Sequence, residues 1–105
     1  MIRHCVFIRF RPAVTTAEKV EIYRGIAALE ARIDGMRTVH AGENVSPETG
    51  MDKGYSEGFI VDFDSAAARD AYLVDEEHRR LGGLIVAAAA GGVDGVLVFD
   101  LEVGA

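Results

Sequence analysis

The chain opens on a stretch with apolar side chains on both of its alternating faces. In IRHCVFIRF, residues 2–10, Ile2, His4, Val6, Ile8 and Phe10 fall on one side, and Arg3, Cys5, Phe7 and Arg9 on the other. Period-two alternation of β-branched and aromatic residues predicts a strand, and apolar groups on both faces predict cover on both sides. Pro12 ends it. Beyond that point Val20, Ile22, Ile26, Leu29 and Ile33 recur near 3.6 residues, which predicts a helix capped by Thr15 or Thr16, running to about Arg32 and stopped by Gly35. A second strand is expected from Met36 to Val45, then a turn-rich loop, Ser46 to Gly54, then a third strand from Tyr55 to Phe63. On that strand Tyr55, Glu57, Phe59, Val61 and Phe63 share one face, with Ser56, Gly58, Ile60 and Asp62 on the other. Ser65 is placed to cap the next helix, Gly91-Gly92 stops the helical region, and VLVFDLEV (96–103) reads as a last strand.

The second helical region contains AYLVDEEHRRL, with Tyr72 and His78 six positions apart. On one unbroken helix six positions turn the side chains to about 120° from each other, so the two rings meet only if the helix breaks between them. Asp75 can cap a restart, and Glu76 and Glu77 then sit in a first turn where the helix dipole favours acids. Tyr72 would end one helix, His78 would lie in the first turn of the next, and the second piece would continue through Leu81 to about Ala90. The bland reading of the same residues is a helix–helix corner with a core tyrosine and a surface histidine.

The order strand, helix, strand, strand, broken helix, strand, closed by right-handed crossovers, gives an α+β, ferredoxin-like four-stranded antiparallel sheet with its helices on one face and the first strand inside. The other face is then bare. Alternation assigns it Cys5, Phe7, Val39, Ala41, Val45, Gly58, Ile60, Val96 and Val98, a patch too apolar for water, and a second copy of the sheet is its expected cover.

Composition narrows the function classes. One domain spanning 1–105 is expected at this length; half the residues are hydrophobic and the formal net charge is -6, which marks a folded rather than a disordered chain. That acidity, with no basic patch interleaved with aromatics, argues against a nucleic-acid partner. The longest apolar run, Leu84 to Ala90, is too short to span a bilayer, and the start lacks the pattern of a signal peptide. A single cysteine, Cys5, suits a reducing compartment, so a cytoplasmic protein is expected.

The candidate chemistry is sparse. His4, between Ile2 and Val6 on the helix-facing side, is either a core histidine satisfied by one hydrogen bond or part of a pocket wall. Glu57, on the same side of the sheet, needs a partner, a proton or a polar pocket, because a buried lone carboxylate costs several kcal/mol. Antiparallel pairing of the first and third strands sets His4 opposite Val61, away from Glu57. His40 belongs to an edge strand and is expected to be exposed, and Cys5 to be a buried neutral thiol. The histidines and acids lack metal-ligand spacing and the glycines lack the setting of a phosphate loop, so no metal or cofactor is expected.

Five segments in order, IRHCVFIRF, GENVSPE, KGYSEGFIVDF, AYLVDEEH and VLVFDLEV, resemble the stress-responsive dimeric A/B barrel (Dabb) family over nearly the whole chain. The resemblance implies a ferredoxin-like subunit whose sheet packs on a partner's sheet. Its branch of polyketide cyclases, similar to olivetolic acid cyclase, carries a tyrosine and a histidine spaced as Tyr72 and His78 are. There the histidine is the base of an intramolecular aldol condensation and the tyrosine positions the substrate. Here Asp75 and Glu76 stand where that branch has His-Pro, and Glu57 where a histidine is common. Two readings follow. One is a homodimer with a small-molecule pocket between sheet and helices for an aromatic or polyketide-like ligand, walled by His4, Glu57 and Phe59. The other is a cofactor-independent cyclase or lyase with Tyr72 and His78 as catalytic residues.

Overall fold

The computed structural model describes residues 1–104. Its elements are β1 (Ile2–Ile8), α1 (Thr16–Ala28), a 3-10 turn (Leu29–Ala31), β2 (Met36–Glu43), β3 (Glu57–Phe63), α2 (Ala66–Val74), α3 (Glu76–Ala88), a second 3-10 turn (Gly92–Gly95) and β4 (Val96–Glu102). The four strands form one antiparallel sheet in the order β2-β3-β1-β4, so β1 is interior and the fold is ferredoxin-like, as expected. The strands are shorter than the apolar pattern: β1 stops at Ile8 and Phe10 makes only an isolated bridge to Ala89.

Each helix begins where a side chain takes up the free N–H groups. Thr15 and Glu18 form a capping box at α1, and Ser65 accepts from the Ala68 amide at α2. The core lies between the helices and one face of the sheet: Val6, Ile8, Phe59, Val61 and Phe63 pack against Ile22, Ile26, Leu29, Leu81 and Ile85. Gly25 lets α1 and α3 approach, since a Cβ there would sit 2.5 Å from Leu81 Cδ2.

The bare face differs from the expected one in two strands. Cys5, Phe7, Gly58 and Ile60 are on it, but Val39 and Ala41 pair with Val61 and Phe59 and so turn to the helices. A register shift between Met36 and Thr38 is the reason: the extra residue lets both Met36 and Val39 reach the core side. On β4 the bare face carries Leu97, Phe99 and Leu101, paired with Phe7, Cys5 and Arg3, whereas Val96 and Val98 are on the helix side. The run VLVF offers no polar contrast from which parity can be read. Val45 lies beyond β2, 92% exposed, in the loop.

Candidate functional site

The helix break is where the acids place it. Asp75 is extended between α2 and α3, and its Oδ1 accepts from the amides of Glu77 and His78 at 2.9 and 3.2 Å. Its Oδ2 accepts from Arg32 Nη2 at 3.0 Å. Burial works against the Asp75 carboxylate but is outweighed by those amides and Arg32, which hold its pKa below the usual range. The turn folds His78 back on Tyr72, bringing the ring centroids to 4.1 Å with planes 46° apart.

His4 joins this pair from the sheet. The register sets it between Val61 and Asp100, and its ring is 5.7 Å from that of Tyr72, edge to face. Its Nδ1 donates to Asp100 Oδ1 at 2.6 Å, and Arg69 Nη1 donates to Asp100 Oδ2 at 2.7 Å. Burial opposes the Asp100 charge, yet Arg69 and His4 keep its pKa below the ordinary value. Phe63 packs edge to face with the Tyr72 ring, its centroid 5.0 Å away.

Two polar atoms of this cluster lack partners. Tyr72 is fully buried and its hydroxyl makes no hydrogen bond; the buried Nδ1 of His78 makes none either. An unpartnered buried hydroxyl costs about 1–3 kcal/mol, so its retention calls for a reason. Burial raises the phenol pKa of Tyr72, which stays protonated. Burial, then the neighbouring His4, lowers that of His78, against the Leu73 carbonyl and Asp75. The pair is a protonated donor beside a neutral imidazole.

Glu57 and Phe59 are not part of this cluster. Along the helix face of the sheet Phe59 is level with Val6 and Glu57 with Ile8, which puts Glu57 about 13 Å from the level of His4. Glu57 is paired with Lys19 at 2.6 Å, and Phe59 is a core ring against Tyr23, 6.1 Å away. Both also border a hollow of about 630 Å³ between the β2–β3 loop and the bare face, floored by Phe7, Gly42 and Gly58. Neither that hollow nor a shallow one beside Gly35 and Ala68 is lined by Tyr72, His78 or His4.

His40 is exposed on the bare face, and Cys5 is a buried free thiol whose pKa burial pushes up. Among the described residues no three His, Cys, Asp or Glu side chains are grouped to hold a metal, and no helix is long and apolar enough to cross a membrane. Sequence reasoning missed Asp100 and Arg69. The signal was an acid in the otherwise apolar VLVFDLEV, opposite His4 once β1 and β4 are paired.

The geometry agrees with what comparison finds. The model of the Stress responsive A/B Barrel Domain matches residues 2–103. The chain belongs to the stress-responsive A/B barrel family. It is similar to the stress-response A/B barrel domain-containing protein HS1 of Arabidopsis thaliana, 28% identical over 101 residues that cover 96% of this chain and 88% of that one. A dimeric ferredoxin-like protein of unknown function from Jannaschia sp. CCS1 superposes with a TM-score of 0.90 at 32% identity, covering 97% of this chain and 98% of that one. The crystal structure of At3g17210 from Arabidopsis thaliana gives 0.85 at 26% identity, covering 100% and 97%. These relatives share the barrel domain, and no reaction comes with it.

Proposed function

We propose that this A/B barrel chain works as a homodimer that binds a small, neutral, aromatic or polyketide-like molecule between the sheet and the α2–α3 corner. The observation that carries the reading is a pair of buried, unpartnered polar atoms, the Tyr72 hydroxyl and His78 Nδ1, on rings whose centroids lie 4.1 Å apart. Together they offer a donor and an imidazole nitrogen to a carbonyl or hydroxyl group, in surroundings that disfavour a charged ligand. The dimer is supported by the bare apolar face and by the dimeric Jannaschia relative. Titrating candidate aromatic ketones and phenols while following ring signals by NMR tests the site. Shifts should centre on Tyr72, His78 and His4 and disappear in Tyr72→Phe; shifts centred instead on the hollow of the bare face would overturn it. Phe7→Asp should give a monomer in sedimentation, and a variant that keeps the native dimer mass would refute pairing through this face.

A second reading has its own support. Burial keeps His78 in the proton-accepting form and Tyr72 in the donating form, as base and electrophile of a cofactor-independent cyclase or lyase require. If a β-polyketide or related carbonyl compound is turned over, His78→Ala should lower kcat by about 10² or more with less effect on binding. An unchanged kcat in that variant would exclude His78 as the base.

A further inference from the structure

β4 is an edge strand whose helix-facing side the helices leave partly uncovered. Val98 is 55% exposed although Val6, its partner across the register, is 5% exposed. Asp100 lies two residues further along the same side and is itself partly exposed. Two groups divide its carboxylate. His4 Nδ1 donates to Oδ1 at 2.6 Å, and Arg69 Nη1 donates to Oδ2 at 2.7 Å. Arg69 comes from α2, three residues before Tyr72, and its Nε donates to Asp70 Oδ1 at 2.9 Å, so an acid holds the guanidinium on either side. An ion pair this accessible adds little stability. What it does is join the helix that carries Tyr72 to the strand that holds His4.

Resting on the binding reading above, we infer that Arg69 is a positioning residue of the Tyr72–His78–His4 site: it fixes Asp100 against His4 and withholds part of the carboxylate's charge from that ring. A carboxylate on an open edge strand turns freely unless both oxygens are engaged, and a planar guanidinium already anchored at Asp70 engages one with little further loss of freedom. The other oxygen is then left where Nδ1 meets it. Charge follows the same division. An acid beside an imidazole favours the protonated ring, and a cation on that acid weakens the effect. His4 is faced by Asp100 from β4, by Tyr72 and, through Asp100, Arg69 from α2, by His78 from α3, and by uncharged Val61 and Phe63 from β3. Asp100 and Arg69 are the fixed charges of that set. After burial, His4 is the largest influence lowering the His78 pKa, so a change at Arg69 reaches His78 by way of Asp100 and the His4 ring.

Titration of the His78 ring by NMR in the ligand-free protein tests this independently of whether ketones or phenols bind. In Arg69→Met the whole carboxylate acts on His4, and the added positive charge there should move the His78 midpoint below its wild-type value. In Asp100→Asn the acid's pull is gone while an oxygen remains for Nδ1, and the midpoint should move up toward 6.5. A purely structural ion pair would not give opposite signs. Arg69→Met added to Asp100→Asn should change nothing further, because Arg69 acts through Asp100. Arg69→Lys keeps the charge but not the fork that spans both acids; its midpoint should fall between those of wild type and Arg69→Met, and it stands in if Arg69→Met fails to fold. An unchanged midpoint in Arg69→Met, or a shift of the same sign as in Asp100→Asn, overturns the inference. Opposite signs, with ligand-induced shifts that miss Tyr72, His78 and His4, would uphold the coupling of Arg69 to His78 and sink the binding reading alone.

Discussion

Tyr72 buries an entire phenol and leaves its hydroxyl without a partner. Tyr72→Phe keeps the ring packing and removes the unsatisfied group, so thermal unfolding should show it about 1–2 kcal/mol more stable, while any ligand that needs the donor is lost. A destabilised variant would mean that the hydroxyl is satisfied and the site reading wrong. His78 adds a dependence on pH. Its folded pKa lies below the ordinary 6.5, mainly through burial. Between the two values the unfolded chain binds the extra proton, so this contribution to stability is whole above about pH 6.5 and is lost as pH falls through the folded value. Urea unfolding at about pH 7.5 and about pH 5.5 should therefore show a loss on acidification that His78→Gln reduces, and an unchanged slope would place His78 in water. His4 was visible in the sequence as a histidine on an apolar face. Its partner was not, because Asp100 is 96 residues away and reaches it only through the β1–β4 register.

At the scale of elements, the α2–α3 corner is the piece on which the site depends. Asp75 joins the two helices by capping α3 and by holding Arg32 beyond the end of α1. Asp75→Ala should cost about 1–2 kcal/mol for the cap, and should also loosen the Tyr72–His78 contact, read as loss of the ring-current shifts between them. Asp75→Asn, which can still cap, should restore most of both. The break was readable because three acids before a histidine have one good helical use, at an N-terminus. The faces of β2 and β4 were not, because a bulge shifts the first by a residue, and the second is apolar in both phases over VLVF and then turns its acids, Asp100 and Glu102, to the helix side. Alternation carries information only where one of its phases is polar.

For the whole molecule, a sheet bare on one side makes stability inseparable from association. Thermal unfolding of the wild type should move to higher temperature with protein concentration, and Phe7→Asp should abolish that dependence. The sequence by itself determined the element order, the antiparallel sheet with β1 inside, the helix break and the apolar surplus on the far face. Each of these follows from local periodicity, capping chemistry and the handedness of connections, which act over a few residues. Only the tertiary structure decided which side chains share a site. It drew His4, Tyr72 and His78 together and added Asp100 and Arg69, while Glu57 went to Lys19 at the other end of the sheet. The physical reason is that membership of a site is fixed by strand register and helix placement, and one residue of slip along a strand changes both the level and the face of every side chain on it.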